Sequence, residues 1–227
     1  MSSMASAPRY PGAVFGTLMC LLVASAVMIP IAVYFGESIV RAMLPMFGVI
    51  FEWVAGDFKL LRLTIDNEGA DRVLSATVMW KHITILGGHV IYPDPRGTAN
   101  ASTLLAHALQ GPLVAILTAC AWPTAGTTGA SASRVWIELG IRLLVLLPLV
   151  AILIGIDMPV VLAGEIWHFT LDALAPGTGS VLVTWKHFMQ GGGRYALGMG
   201  VAILAVHLGQ AIATSKSLLA PPPERSV

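Results

Sequence analysis

Charge is scarce in this chain. Only 11% of its 227 residues are Asp, Glu, Lys or Arg, against roughly 25% in an ordinary soluble domain. The few charges nearly cancel, leaving a formal net charge of +1. Without a basic excess to neutralise phosphates, nucleic acid is not expected as a partner, and no field of either sign favours an acidic substrate. Cysteine is scarcer still. Cys20 and Cys120 both fall inside long apolar runs, where they say nothing of a redox compartment. Signatures of chemistry are missing too. There is no His-x-x-His or His-Glu-x-x-His spacing for a metal, no Gly-x-Ser-x-Gly elbow, and no Lys-Ser/Thr after a glycine loop.

What the chain has instead is apolar surface, with 56% hydrophobic residues. A soluble domain of this composition could not cover itself, so the bilayer is the expected solvent. Four runs, residues 13–35, 104–122, 136–156 and 195–213, are each long enough to cross, since about 20 apolar residues span a hydrocarbon core of about 30 Å. The first is too long for a cleaved signal peptide and has no basic cluster before it beyond Arg9. Met19 before Cys20 argues against a lipoprotein anchor. We expect a retained helix kinked at Pro30. Trp122, Trp136 and Tyr195 stand at span ends, where amphipathic rings prefer to lie.

The expected fold is a mainly α membrane protein with four transmembrane helices, a small external β-hairpin insertion and interfacial helices. It divides into residues 1–35 (N-terminus and first span), 36–103 (external interfacial helix and hairpin), 104–156 (second and third spans), 157–194 (second external loop) and 195–227 (fourth span and a proline-rich, disordered tail). A plain count of Lys and Arg puts the long loop in the cytoplasm. That rule loses force for loops above about 60 residues, and we expect cytoplasmic termini and external loops.

Within the loops, Glu37 and Arg41 are spaced i, i+4 with the acid first, as are Glu138 and Arg142 in the third span. This order favours a helical ion pair, and both pairs suit the headgroup boundary. Residues 37–54 read as an interfacial or re-entrant helix. Next, Leu61, Leu63 and Ile65 alternate with polar residues, then a Gly/Asn/Asp turn, then Leu74, Ala76, Val78 and Trp80 alternate in turn. Two period-2 runs about a turn predict a hairpin over residues 57–85, with a short third strand at His89–Tyr92. A lone hairpin is marginal, so the Leu61–Leu63–Ile65 face and Trp80 need cover, from a partner or from Trp167–Leu171 in the second loop. Trp-Lys-His occurs in both loops, at 80–82 and 185–187, with flanks that do not match.

The stretch "GGGRYALGMG" contains G-x-G-x-x-A. It lacks the parallel β-strand unit a dinucleotide fingerprint requires. It reads better as a doorway into the last helix, with the glycines turning the chain, Arg194 snorkelling to phosphate, and Gly198 and Gly200 permitting close helix approach. His107 and His207 lie in spans at unequal depth and make a poor haem sandwich. His82, His89, His168 and His187, with Asp94, Asp157 and Glu165, lack any ligand spacing. No cofactor or metal is expected.

Two blocks carry a resemblance. "VIYPDPRG" at 90–97 leads out of a strand-rich segment into a helix, and F-x-x-GGGR-x-ALG runs from Phe188 to Gly198. In these blocks and in layout the chain resembles the small integral membrane proteins associated with bacterial exosortases, the transpeptidase-like enzymes that sort envelope proteins. The resemblance implies a multi-pass inner-membrane protein with an accessory role, no catalytic residues, and a membrane protein partner besides the lipid. An accessory protein should bury few charges. The rival reading, a transporter or channel subunit, should line mid-membrane faces with polar groups, for which Thr118, His207 and Gln210 are the sequence's offer.

Overall fold

The computed structural model describes residues 11–123 and 132–219. Arg9 and the tail beyond residue 219 lie outside them. The order of elements is helix α1 (Pro11–Val54), strands β1 (Phe58–Glu68), β2 (Asp71–Trp80), β3 (Thr84–Leu86), β4 (His89–Ile91) and β5 (Thr98–Leu104), then helices α2 (Leu105–Ala121), α3 (Ala132–Leu174), α4 (Val181–Phe188) and α5 (Arg194–Leu219). Three stretches are long and apolar enough to cross a membrane: Val14–Val54, Val135–Leu174 and Val181–Ala213. The second expected span, residues 104–122, is α2, which is apolar but shorter, at 17 residues.

The helices correct the sequence reading in one consistent way. α1 does not stop near residue 35. It runs unbroken for 44 residues through Pro30 and Pro45, about 66 Å at 1.5 Å per residue. The segment expected to be interfacial is a core helix, because Val40, Phe47 and Phe51 recur at helical spacing and are buried, with Met43 and Leu44 packed beside them. α3 likewise passes the expected boundary at residue 156 and continues to Leu174. Met158, Leu162, Ala163 and Ile166 carry its inner face onward into the same core.

Between these two extensions lies an antiparallel sheet of order β1-β2-β5. β1 and β2 pair from Phe58↔Trp80 to Glu68↔Asp71. Their two-residue loop places Gly69 at φ 62, the requirement at the first central position of a II′ hairpin turn. The hairpin's root adjoins the end of α1, where the Phe58 amide donates to the Ala55 carbonyl at 2.8 Å. Its far end returns to α1, with Arg72 3.6 Å from Glu37. The sheet therefore lies along the second half of α1. β5 pairs with the other side of β2 and runs straight into α2. β3 and β4 form a separate small hairpin.

The predicted apolar face of β1 needs a correction. A bulge falls between Leu60 and Arg62, and one extra residue reverses every later side chain relative to the earlier ones. The inward set is Phe58, Leu60, Leu63 and Ile65, while Leu61 is exposed. On β2, Leu74, Ala76 and Val78 are buried as the alternation requires. A single core joins this face to α1, α2, α3 and α5.

At the other end of the molecule α2, α3 and α5 pack closely. A Cβ on Gly198 of α5 would strike the Gly111 carbonyl of α2, so these helices meet backbone to backbone. Gly200, expected to do the same, has open space around it.

Candidate functional site: ion pairs at a helix break

α4 and α5 form one descending path with a break between them. A short kinked segment, Met189–Gly193, joins them, and Gly192 there has non-helical φ 111, a conformation that side chains other than glycine's rarely adopt. A Cβ on Gly193 would lie 2.6 Å from the Phe188 ring. The glycine run does turn the chain, as expected, but Arg194 does not snorkel. It is buried, and its Nε donates to Oδ2 of buried Asp157 on α3 at 2.8 Å. A buried guanidinium is stable only with an anion beside it, and Asp157 is the one charge in the apolar run between Arg142 and Glu165. The pair leaves Asp157 Oδ1 and Arg194 Nη2 buried without a partner.

On the α4 side of the break stands a second pair. Lys186 Nζ lies 2.8 Å from Glu165 Oε2, with the lysine buried. α4 comes this close because Gly164 leaves room. A Cβ there would sit 2.5 Å from the Leu182 carbonyl oxygen and 2.9 Å from Lys186 Cβ.

The third pair lies about 22 Å down α3 from Asp157. Arg142 Nη2 donates to Glu138 Oε1 at 3.0 Å, so the i, i+4 pair forms. The expected headgroup exposure does not follow, since Arg142 is fully buried. Its Nη1 donates to the carbonyls of Ala119 and Trp122 at 2.8 and 2.9 Å. These are the free acceptors at the C-terminus of α2, where a cation also meets the negative end of the helix dipole. Glu37 and Arg41 pair on the surface of α1 and share Glu37 with Arg72.

The hairpin face finds its cover inside the protein. Phe58, Trp80 and Trp167 form an aromatic cluster, with ring centroids 4.6 Å apart for Phe58–Trp80, 5.3 Å for Phe58–Trp167 and 6.1 Å for Trp80–Trp167. Leu63, Ile65 and Trp80 are all partly buried against the core.

The six histidines do not converge on one site. His168 faces Asp172 at 3.5 Å and the His187 ring at 5.4 Å. His107 lies beside Thr103, and His207 is exposed on α5. Among the described residues no group of three or more His, Cys, Asp or Glu could hold a metal. Sequence reasoning found Arg194 and Arg142 but not their partners across the fold. The available signal was a lone acid, Asp157, in an otherwise apolar helical run. Comparison of the chain with protein-family models, with curated proteins and with solved structures found no match.

Proposed function

We propose that this chain is a non-enzymatic accessory protein of the bacterial inner membrane, crossing the bilayer four times and serving an envelope protein-sorting system of the exosortase type. The observation that carries the accessory role is the construction of the sheet. α1 and α3 are each about twice as long as a hydrocarbon core requires. They grip the sheet between their second halves, so the strand-rich layer is a rigid extension of membrane-crossing helices. Open strand edges do not occur in lipid, which puts this layer in water. Below it, the uncharged stretch of α3 between Arg142 and Asp157, together with α2, α5 and the first half of α1, makes the bilayer part. The sorting system comes from the resemblance in "VIYPDPRG" and F-x-x-GGGR-x-ALG. The test is capture of the full chain from mild detergent with mass spectrometry of what co-purifies. An exosortase-type enzyme or its cargo is expected; recovery of the chain with lipid alone would overturn the assignment.

One observation favours the second reading, a transporter or channel subunit. The chain buries Arg142, Asp157, Lys186 and Arg194, against the few buried charges expected of an accessory protein. Two of these pairs flank a broken helix, a combination that marks many transport sites. In a transport subunit the paired change Asp157→Leu with Arg194→Met should leave the chain folded and abolish flux; in an accessory protein it should leave the chain folded and partner capture intact.

A further inference from the structure

Two of the histidines meet across the seam between α3 and α4. His168 lies on α3 and His187 in the last turn of α4. Their ring centroids are 5.4 Å apart and their planes stand at 79°. Two imidazoles on one tetrahedral ion, each with a nitrogen about 2 Å from the metal, have centroids about 5 Å apart. The observed separation is that of two ligands of a common ion. His168 carries a second mark of a ligand. Its Nδ1 is 3.5 Å from Oδ2 of Asp172, one turn further along α3. A ligating histidine commonly donates its other ring N–H to a carboxylate, which fixes the tautomer and the orientation of the ring. With Nδ1 turned to Asp172, Nε2 is the nitrogen left to bind. The sequence shows no ligand spacing here because the two rings come from different helices.

We propose that His168 and His187 hold one divalent transition-metal ion, Zn²⁺ or a close relative such as Co²⁺ or Ni²⁺, with Asp172 as the carboxylate behind His168. Imidazole nitrogens suit these metals, whereas Mg²⁺ and Ca²⁺ take oxygen ligands. The local charge favours a cation. The ammonium of Lys186, next to His187 in the chain, is held by Glu165 at 2.8 Å, and exposed Asp172 adds a negative charge beside His168. Both rings reach solvent, since His187 is exposed and the His168 side chain is 31% exposed. An ion can therefore enter, and water can fill the rest of its coordination sphere. Among the described residues no third His, Cys, Asp or Glu completes a set, so the site is open and weaker than a closed four-ligand centre. Bound there, the ion ties α4 to α3 above the helix break. His168 is about 16 Å along α3 from Asp157, in water on the four-crossing arrangement; the inference rests on that reading only for access to solvent.

The test uses the full chain in mild detergent, without a histidine tag and washed with chelator, titrated with Zn²⁺ and with Co²⁺. Equilibrium dialysis should find one ion per chain at micromolar concentration, and the melting temperature should rise with added Zn²⁺. Millimolar Mg²⁺ or Ca²⁺ should neither compete nor stabilise. His168→Ala and His187→Ala should each weaken binding by about tenfold or more, and Asp172→Asn should weaken it less. The three side chains are at least partly exposed, so the metal-free melting temperature of each variant should match the parent's, which separates loss of the ion from loss of the fold. His82→Ala with His89→Ala, exposed histidines away from the seam, should leave binding intact. No binding below millimolar Zn²⁺ would overturn the proposal. So would binding that survives His168→Ala with His187→Ala, or that is lost with His82 and His89. Partner capture and reporter fusions play no part in this titration, so it can fail while the accessory role stands, and the reverse.

Discussion

Asp157 and Arg194 show how much of a residue's meaning depends on what the fold brings to it. They are 37 positions apart and share a hydrogen bond at 2.8 Å. Removing one partner of a buried pair leaves a charge in low dielectric and typically costs about 3–5 kcal/mol, whereas replacing both with apolar residues is often neutral. Asp157→Ala and Arg194→Ala are therefore each expected to lower thermal stability in detergent sharply, and Asp157→Leu with Arg194→Met to do so far less. A headgroup anchor would give no such rescue. Arg142→Ala is expected to cost about 2–3 kcal/mol, because the charged hydrogen bonds closing α2 are lost; fluorescence-detected gel filtration after heating would report it. The i, i+4 pairs at Glu37–Arg41 and Glu138–Arg142 were legible because both partners sit on one helix. The Asp157–Arg194 and Glu165–Lys186 pairs were not, because nothing local in one sequence joins an acid to a base on another helix.

At the scale of elements, the strand pair was legible from alternation, but its register was not. Leu60 and Leu61 are both apolar, so the pattern reads smoothly across a bulge that reverses everything after it. This leads to a paired expectation. Leu63→Asp places a carboxylate in the core and should reduce folded protein, while Leu61→Asp faces outward and should stay within about 0.5 kcal/mol of the parent. Equal effects on expression level and melting temperature would show the bulge to be misplaced. β5 escaped notice because "TANASTL" is small and polar and its strand character comes from pairing with β2. The ends of α1 and α3 escaped because an apolar core helix and an apolar membrane helix share the same letters. The helix break was visible as three glycines. Gly192→Ala would force a side chain into φ 111, at a cost of about 1–3 kcal/mol, readable as a lower melting temperature.

On the scale of the whole molecule, composition alone pointed to lipid, and three stretches of sufficient length and apolarity agree. The way the rest is arranged around them was hidden, since it depends on helices continuing past the boundary where spans were expected to end. Reporter fusions test the proposed orientation. Those placed after Asp66 and after Gly179 should read external, and one at Thr128 cytoplasmic; the reverse would restore the plain count of basic residues.

On the proposed four-crossing arrangement, α1 and α3 each continue as one helix from the membrane half into the half that carries the sheet. The pair acts as a mast fixed to its hull. A helix bundle answers a change in bilayer thickness by tilting, and along a continuous helix the tilt is carried towards the strands. In thicker membranes the mast stands upright and lifts the hairpin away from the lipid; in thinner ones it leans and brings the hairpin down. The height at which this protein meets anything soluble is thereby set by the lipid around it.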